Sequence, residues 1–200
     1  MDTKDQSYSD YLENKYLPGR SQYLRWIFYP KILRRFASTQ PIIDLGCGTG
    51  EFLRFCRQRG RAVIGVDSNP TLAAKCRQEG FEVLLDSVCE LNSLGGRAFQ
   101  NAVCDNVLEH LDRDQLRQFF RRLEELLTPG GLLMCIVPGA KGFQKDPTHK
   151  TYITREVLQE VMNPKAFTVA PRYFHPVNIG LVDRVCYLNM QVFEIRKNER

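Results

Sequence analysis

Several features that mark membrane-bound, secreted and disulfide-rich proteins are missing from this sequence. No apolar run is long enough to span a bilayer, and residues 1–10 are polar and acidic, unlike the basic and then apolar start of a secretory signal. The 7 cysteines include no CxxC pair and no zinc-like cluster with histidine, and their number is odd. We therefore expect a cytoplasmic protein with reduced, mostly buried thiols and no transmembrane segment.

The sequence also has little charge bias, no internal repeat and no low-complexity segment. Its net charge of +5 over 200 residues is a mild excess, which permits an acidic partner but does not require one. No appended basic domain is present, so we expect no DNA partner. The length fits one domain with a substantial core.

The periodicity of the apolar residues changes at Pro41. Between Tyr8 and Phe36 they recur at helical spacing, which predicts a helical extension over 1–40 that covers the site. Over 41–200, short apolar strands alternate with amphipathic helices, and the continuously apolar "LLMCIVPG" indicates a strand buried on both faces. The sequence therefore predicts a single α/β domain with a doubly wound, mostly parallel sheet.

The segments around the last predicted strands are less regular. The "TPGG" of 128–131 predicts a turn before the fifth strand. The last two strands are predicted in "KAFTVAPRYF" and "YLNMQVFEIR". The connection between them, around "HPVNIGLVDRV", fits no single element.

A glycine-rich turn follows the first predicted strand. Gly46, Gly48 and Gly50 stand before the helix "EFLRFCRQRG", where glycine allows positive φ and lets a ligand approach the main chain closely. The helix start offers amide groups and a partial positive charge, so an anionic group is expected there. The spacing is GxGxG, with Glu51 where a dinucleotide fold has its third glycine, and no GK[S/T] follows. With Asp44 just before the turn, this argues against a pyrophosphate and favours a ligand with a positive group beside its anionic one.

Four successive predicted strands each end close to an acid: Asp44, Asp67, Asp86 and Asp105. Because the carboxyl ends of parallel strands meet at one edge of a sheet, these acids should lie near one another. Carboxylates accept hydrogen bonds, so Asp67 suits ribose hydroxyls and Asp86 suits an exocyclic adenine amine, while Asp44 could instead hold the glycine turn through backbone amides. A ligand with ribose, adenine, an amine, a carboxylate and a cationic sulfonium meets every requirement, and S-adenosylmethionine is that molecule.

Five motifs in order give the chain a resemblance to the class I S-adenosylmethionine-dependent methyltransferases, from about Ile42 to Pro138. The motifs are "DLGCGTG", "VIGVDSNP", "LLDSVCEL", "NAVCDNVLEHL" and "LLTPGGLLMCIVPG". The resemblance implies a Rossmann-like sheet of seven strands with an antiparallel last strand. It also implies S-adenosyl-L-methionine as the cofactor.

The same resemblance implies which residues along the sheet edge contact each part of the cofactor. It implies that the glycine turn lines the methionine portion, Asp67 the ribose, and Asp86 with Ser87 the adenine. Asp105 and Asn106 would face the reacting end. The full set of expected cofactor-binding residues is Asp44, Gly46, Cys47, Gly48, Gly50, Asp67, Ser68, Asp86, Ser87, Asp105 and Asn106.

His110 lies within "LEHL" of the fourth motif. In the similar ubiquinone-biosynthesis O-methyltransferases, acids before and within this element join the histidine in holding a metal. This chain has Asn106 in place of one such acid, although Glu109 remains, so we expect no metal. His110 then either takes part in catalysis or packs under the site and orients a loop.

His149 lies in "QKDPTHKTYIT", which follows the fifth strand and should emerge at the cofactor edge. The segment looks like one seen in methyltransferases linked to polysaccharide and lipopolysaccharide synthesis. We expect His149 to act as a base or to orient the substrate, together with Asp146. The alternative is a structural turn, in which Asp146 bonds the backbone and His149 caps it.

The sequence therefore predicts an S-adenosylmethionine-dependent methyltransferase whose acceptor is a hydroxyl of a small molecule or a glycan. Methylation of RNA or protein is the second reading, although no "NPPY"-like element follows the fourth strand to mark methylation of a base amino group. A non-catalytic module that binds the cofactor and regulates a partner is the third. The oligomeric state stays open, and calorimetry with the cofactor tests the premise that all three share.

Overall fold

A mixed β-sheet lies at the centre of the computed structural model, which describes residues 20–36, 39–170, 173–176 and 189–199. The strands are β1 (Ile42–Leu45), β2 (Val63–Asp67), β3 (Val83–Leu85), β4 (Phe99–Asp105), β5 (Leu127–Pro138), β6 (Phe167–Val169), β7 (Tyr173–His175) and β8 (Met190–Lys197). The α-helices are α1 (Arg20–Tyr23), α2 (Tyr29–Leu33), α3 (Glu51–Gln58), α4 (Pro70–Gln78), α5 (Arg113–Leu126), α6 (Ala140–Gln144) and α7 (Arg155–Val161). A π-helix spans Leu24–Phe28, and short 3-10 helices span Asn92–Leu94 and Leu108–His110.

The strand order is β3-β2-β1-β4-β5-β8-β6, and β7 also pairs with β8. Strands β1 to β5 pair in parallel, whereas β8 runs antiparallel to β5, with Leu132 opposite Arg196 and Pro138 opposite Met190. This order confirms the predicted Rossmann-like, doubly wound sheet with its antiparallel last strand. The order reverses between β1 and β4, where such sheets bind ligands beyond the carboxyl ends of the strands.

Neighbouring residues of β1 are buried in different layers. Ile43 belongs to the core that includes Phe119 of α5 and Leu158 of α7. Ile42, one residue earlier, belongs to the core that includes Phe28 and Phe55. Because successive side chains of a strand point to opposite faces, the sheet is covered on both sides, which accounts for the continuously apolar fifth strand.

The described part of the N-terminal extension packs on the sheet. Leu24, Phe28 and Ile32, which recur four residues apart, are each at most 1% exposed and share a core with Phe55 of α3. Their spacing places them on one side of the helical segment, as the sequence predicts. The helical pattern predicted around Tyr8 lies outside the described residues.

Two predicted element boundaries are wrong. The "TPGG" segment belongs to β5, which begins at Leu127. Gly130 has a φ of +72°, and the pairing with β4 shifts between Phe99 and Asn101, so the chain bulges but stays in the sheet. "KAFTVAPRYF" contains two strands, β6 and β7, which pair with opposite ends of β8.

The cysteines match the expectation of buried thiols wherever the structure describes them. Six are buried and form no disulfide: Cys47, Cys56, Cys76, Cys89, Cys104 and Cys135. Cys186 and most of "HPVNIGLVDRV" lie outside the described residues. Among the helices of the described ranges, none has the length and apolar character needed to cross a membrane.

Candidate active site

The glycine turn between β1 and α3 has the backbone that the sequence predicts. Gly46, Gly48 and Gly50 have φ values of +81°, +51° and +80°. A Cβ on Gly46 would lie 2.3 Å from Cγ2 of Val107, so this position requires glycine. A Cβ on Gly48 would meet nothing within 4 Å. The turn therefore packs closely at Gly46 and leaves open space beside its main chain at Gly48.

Backbone hydrogen bonds hold this turn against β2. The amides of Gly46 and Cys47 donate to the carbonyl oxygen of Val66 at 2.8 and 3.0 Å, and the Gly50 amide donates to the Cys47 carbonyl oxygen at 2.9 Å. Helix α3 begins at Glu51, directly after the turn. The first amides of a helix lack intrahelical acceptors, so the turn and α3 together form a cradle for an anionic group.

Asp67 at the end of β2 is bonded to the glycine turn. Its Oδ2 accepts a hydrogen bond from the Gly48 amide at 2.7 Å, and its Oδ1 accepts one from the Asn69 amide at 2.8 Å. Burial raises the pKa of Asp67, and these two hydrogen bonds oppose the rise. Ser68 beside it is half-buried. The turn and the acid, which the sequence predicts as separate features, form one unit.

Asp44 on β1 is 2% exposed. Burial raises the pKa of Asp44 well above its ordinary range, and the negative charges of Asp105 and Asp67 raise it further. Val66 and Asp67 accept hydrogen bonds from amides of the glycine turn. The acids of three strands thus act on one another electrostatically, as their positions at strand ends predict.

Asp86, which follows β3, is bonded within its own loop. Its Oδ1 accepts from the Ser87 amide at 2.7 Å, and its Oδ2 accepts from the amide and the hydroxyl of Ser93, both at 2.7 Å. The Ser87 hydroxyl oxygen in turn accepts from the Cys89 amide at 3.2 Å. A carboxylate has about four acceptor positions, so Asp86 retains capacity for one more donor.

Asp105 and Asn106 lie at the end of β4, where the chain turns sharply. Asn106 has a φ of +56°, and its Nδ2 donates to Oδ1 of Asp105 at 2.7 Å. The Tyr29 hydroxyl donates to Oδ2 of Asp105 at 3.2 Å. Tyr29 belongs to α2, so the N-terminal extension reaches the predicted reacting end. The sequence assigns Tyr29 no role of its own in the site.

The imidazole of His149 lies close to two carboxylates. Its Nε2 lies 3.9 Å from Oε1 of Glu109 and 3.8 Å from Oδ2 of Asp146, while its Nδ1 lies 2.9 Å from the carbonyl oxygen of Phe143. The side chains of His149, Glu109 and Asp146 are 6%, 0% and 3% exposed. Asp146 also accepts a hydrogen bond from the Thr148 amide at 3.0 Å. Asp146 therefore bonds the backbone, as in a structural turn, and contacts His149 as well.

His110 stands beside this group. Its Nδ1 lies 3.1 Å from Oγ1 of Thr148 and 3.3 Å from the carbonyl oxygen of the same residue. The ring centroids of His110 and His149 are 4.9 Å apart. The structure therefore brings together all three predicted catalytic residues and adds Glu109 and Thr148. Glu109 was detectable as the acid of "LEHL", whereas Thr148 had no distinguishing signal.

Comparisons with known proteins fit this geometry. A family model described as "Methyltransferase domain" matches residues 42–131, which contain the glycine turn and the acids of β1 to β4. A curated protein of Geobacillus sp. (strain WCH70) that is named as a methyltransferase is 27% identical over 155 residues. The alignment covers 73% of this chain and 58% of that protein, so the chain spans less than two thirds of its relative's length.

Solved structures agree over almost the whole chain. A SAM dependent methyltransferase from Archaeoglobus fulgidus superposes with a TM-score of 0.74 at 21% identity, covering 97% of this chain and 100% of that chain. The chain has the fold of the S-adenosylmethionine-dependent methyltransferases. The N-methyltransferase NodS from Bradyrhizobium japonicum WM9, in complex with S-adenosylhomocysteine, superposes with a TM-score of 0.72 at 18% identity. That superposition covers 99% of this chain and 100% of NodS.

A third structure with the methyltransferase fold contains both an acceptor and a product. The Burkholderia thailandensis 1,6-didemethyltoxoflavin-N1-methyltransferase, with bound 1,6-didemethyltoxoflavin and S-adenosylhomocysteine, has a TM-score of 0.69 at 18% identity. The superposition covers 96% of this chain and 85% of that one. The family model, the curated relative and the solved structures all support a methyltransferase.

Proposed function

We propose that this chain transfers a methyl group from S-adenosyl-L-methionine to the hydroxyl of a small molecule or glycan. The observation that carries the proposal is the unit formed by the glycine turn and Asp67, joined by the hydrogen bond from the Gly48 amide at 2.7 Å. The unit presents an open main chain, a helix start and a buried carboxylate at one sheet edge. NodS and the toxoflavin methyltransferase, which share the fold, were each crystallised with S-adenosylhomocysteine.

The cofactor fits this edge group by group. The methionine carboxylate suits the amides of the turn and of α3, and the ribose hydroxyls suit Asp67. The adenine suits Asp86, which retains one acceptor position, with Ser87 beside it. The sulfonium is a cation, and the crowding of negative charge around Asp44 and Asp105 favours a cation near them.

A hydroxyl acceptor is favoured by the group around His149. Methyl transfer from a sulfonium is an in-line displacement, so the protein mainly aligns donor and acceptor. A hydroxyl must also lose its proton, whereas an amine acceptor only has to be neutral. Glu109, Asp146 and the two histidines supply proton acceptors on the loops that follow β4 and β5. An enzyme for amines needs no such group, although two of the structural neighbours are N-methyltransferases.

Turnover of methyl-labelled S-adenosylmethionine over a panel of hydroxylated small molecules, saccharides, amines, RNA and protein tests this function. We expect label in a hydroxylated small molecule or saccharide. The variant His149→Gln should lower kcat by about 100-fold or more, as loss of a group that accepts a proton does. His175→Gln, which changes a histidine outside the cluster, is the matched control and should keep wild-type turnover.

Three results would contradict the proposal or a part of it. Label that enters only amines, RNA or protein would overturn the acceptor class. Binding of the cofactor with no turnover on any acceptor would favour the regulatory module instead. Full turnover by His149→Gln on the true acceptor would remove the proton-accepting role while leaving methyl transfer intact.

A further inference from the structure

We propose that the outer face of segment 20–36 binds the surface of a bilayer that contains anionic phospholipids. The outer face consists of Trp26, Ile27, Lys31 and Arg34, whose side chains are exposed. The segment comprises α1, the π-helix, α2 and the residues that follow them. Its inner face packs on the sheet, so the outer face is the one that the segment presents to its surroundings.

Two large apolar side chains lie at the beginning of the outer face. Trp26 is 70% exposed and Ile27 is 48% exposed. In the ranges that the structure describes, the third exposed side chain of this kind is Leu85, at the edge of the sheet in β3. Packing in the core does not account for Trp26 and Ile27. An exposed tryptophan beside an aliphatic residue is typical of surfaces that enter the boundary between lipid headgroups and acyl chains.

The charge of the segment complements an anionic surface. Residues 20–36 include no acidic residue and five basic ones: Arg20, Arg25, Lys31, Arg34 and Arg35. Their charge equals the net charge of the whole chain, +5, so the remainder of the sequence is balanced. Basic residues close to an anionic membrane are attracted to it, and each strengthens binding by about fivefold. The mild excess of positive charge in this chain is therefore concentrated beside its exposed tryptophan.

The basic residues of the outer face continue from its apolar end. Ile27, Lys31 and Arg34 follow one another at spacings of four and three residues, which places them along one side of a helical segment. Arg35 is already engaged, because its guanidinium bonds the carboxylate of Glu194 in β8 at 2.6 Å. Lys31 and Arg34 are therefore the cations of the outer face that we expect to bind lipid phosphates.

The aliphatic side chain favours a lipid surface over other partners. A second copy of this chain would bring two cationic faces together, and like charges repel. Single-stranded RNA binds to basic surfaces with aromatic side chains, which Trp26 and Lys31 would suit, but Ile27 has no role in base stacking. At a membrane, the acyl boundary favours both Trp26 and Ile27, while the lipid phosphates favour Lys31 and Arg34.

A membrane-bound segment 20–36 would bring the cofactor edge of the sheet close to the bilayer. Tyr29, two residues after Ile27, donates a hydrogen bond from its hydroxyl to Oδ2 of Asp105 at 3.2 Å. The segment thus has its lipid-binding face outward and its contact with the predicted reacting end inward. The consequence for catalysis rests on the proposed function: a hydroxylated acceptor carried by a lipid would reach the site without leaving the membrane surface.

Sedimentation with vesicles and the fluorescence of Trp26 test the interface without cofactor or acceptor. The vesicles contain phosphatidylglycerol and phosphatidylcholine in equal parts, or phosphatidylcholine alone. Trp26 is the only tryptophan of the chain, so its emission should shift to shorter wavelength when the outer face enters the bilayer. We expect binding to the anionic vesicles, at least about tenfold weaker binding to the neutral ones, and release from the anionic vesicles at high salt.

The apolar part of the face is tested by Ile27→Ser. This variant should bind the anionic vesicles about tenfold more weakly, because its side chain no longer contributes apolar area to the acyl boundary. Leu85→Ser is the matched control, since Leu85 is 47% exposed but lies in β3, and its affinity for vesicles should equal that of the wild type.

The basic part of the face is tested by the double variant Lys31→Gln, Arg34→Gln. Its affinity for the anionic vesicles should fall by about tenfold or more. The matched control, Arg121→Gln, Arg122→Gln, removes the same charge from α5, whose buried residues belong to the layer on the other side of the sheet. This control should bind within about twofold of the wild type.

Each outcome bears on the surface. Wild-type protein that does not sediment with anionic vesicles would overturn the proposal, as would equal losses of affinity in the two double variants. Binding to a single-stranded RNA oligonucleotide without binding to vesicles would overturn it in favour of nucleic acid. Thermal unfolding is the folding check, and Trp26→Ser replaces Ile27→Ser if that variant fails it. Vesicle binding without methyl transfer to any acceptor would support the surface and overturn the proposed function.

Discussion

Asp67 connects the two features on which cofactor binding depends. Its carboxylate bonds the amide of Gly48 in the turn and the amide of Asn69 ahead of α4. Hydrogen bonds to a charged acceptor contribute about 1.5–3 kcal/mol each. The same carboxylate that shapes the turn is the one proposed to receive the ribose, so a change at this residue affects both.

The substitution Asp67→Asn tests this double role. The amide replaces one acceptor oxygen by a donor, which then faces a backbone N–H. We expect the affinity for S-adenosylhomocysteine to fall by about 10-fold or more and the free energy of unfolding to fall by about 1–3 kcal/mol. Calorimetry and urea unfolding measure the two effects. Glu82→Gln is the control, since this exposed side chain lies in a surface ion pair with Arg97, and wild-type affinity in Asp67→Asn would contradict the role.

Single residues were predictable where spacing along the chain carries the information. The three glycines and the four acids follow from their positions at predicted strand ends, and the positive φ values confirm the predicted backbone conformation of the glycines. The contact between Glu109 and His149 was not predictable, because it depends on how the loop after β5 folds back toward the loop after β4. Tyr29 was missed for a similar reason: its contact with Asp105 crosses from one layer to another.

The start of helix α5 is determined by residues next to it in the sequence. Asp112 accepts from the amides of Asp114 and Gln115 at 3.0 and 2.9 Å, and the Gln115 side chain accepts from the Asp112 amide at 3.0 Å. This capping box satisfies amides that the helix start leaves without partners. The apolar face of α5 is buried as well, including Phe119.

Asp112→Ala should lower the free energy of unfolding by about 1 kcal/mol, because it removes the acceptor for two helix amides. Cofactor affinity should not change. Asp114→Ala is the matched control: its side chain is 94% exposed and forms only a surface ion pair, so little change is expected. Equal losses of stability in the two variants, measured by urea unfolding, would show that the cap contributes nothing of its own.

The elements that the sequence mispredicted are held by partners far along the chain. "TPGG" has the composition of a turn, but pairing of Leu127 with Phe99 keeps the segment in β5. β6 and β7 are short, and both depend on β8 for their pairing. Strand pairing across such distances overrides local preference, whereas helix caps and periodicity are local and were predictable.

At the scale of the whole molecule, the N-terminal extension contacts β7 through His175. The Tyr23 hydroxyl contacts Nε2 of this residue, and the Phe28 ring centroid lies 4.6 Å from its ring centroid. His175 is 3% exposed. Burial, with a smaller effect of the positive charge of Lys31, lowers the pKa of His175 to about 4.

This shift predicts how stability depends on pH. The unfolded chain takes up a proton near the ordinary pKa of 6.5, whereas the folded chain does so only near 4. The contribution of His175 is therefore present above pH 6.5 and is lost as the pH falls toward 4. In urea unfolding between these values, His175→Gln should show a shallower loss of stability than the wild type. If the stability of the two proteins changed with pH in parallel, His175 would have the same pKa in the folded and unfolded states.

Calorimetry with S-adenosylhomocysteine tests most directly whether the carboxyl edge of the sheet binds S-adenosylmethionine. Gly48→Ala places a methyl group in the open space of the turn at a φ of +51°, and Gly80→Ala places one in open space at a helix end at a φ of +83°. Both should lose about 1 kcal/mol of stability from backbone strain. We expect one binding site in the wild type, unchanged affinity in Gly80→Ala and affinity at least about tenfold weaker in Gly48→Ala. No binding by the wild type, or equal binding by both variants, would contradict it.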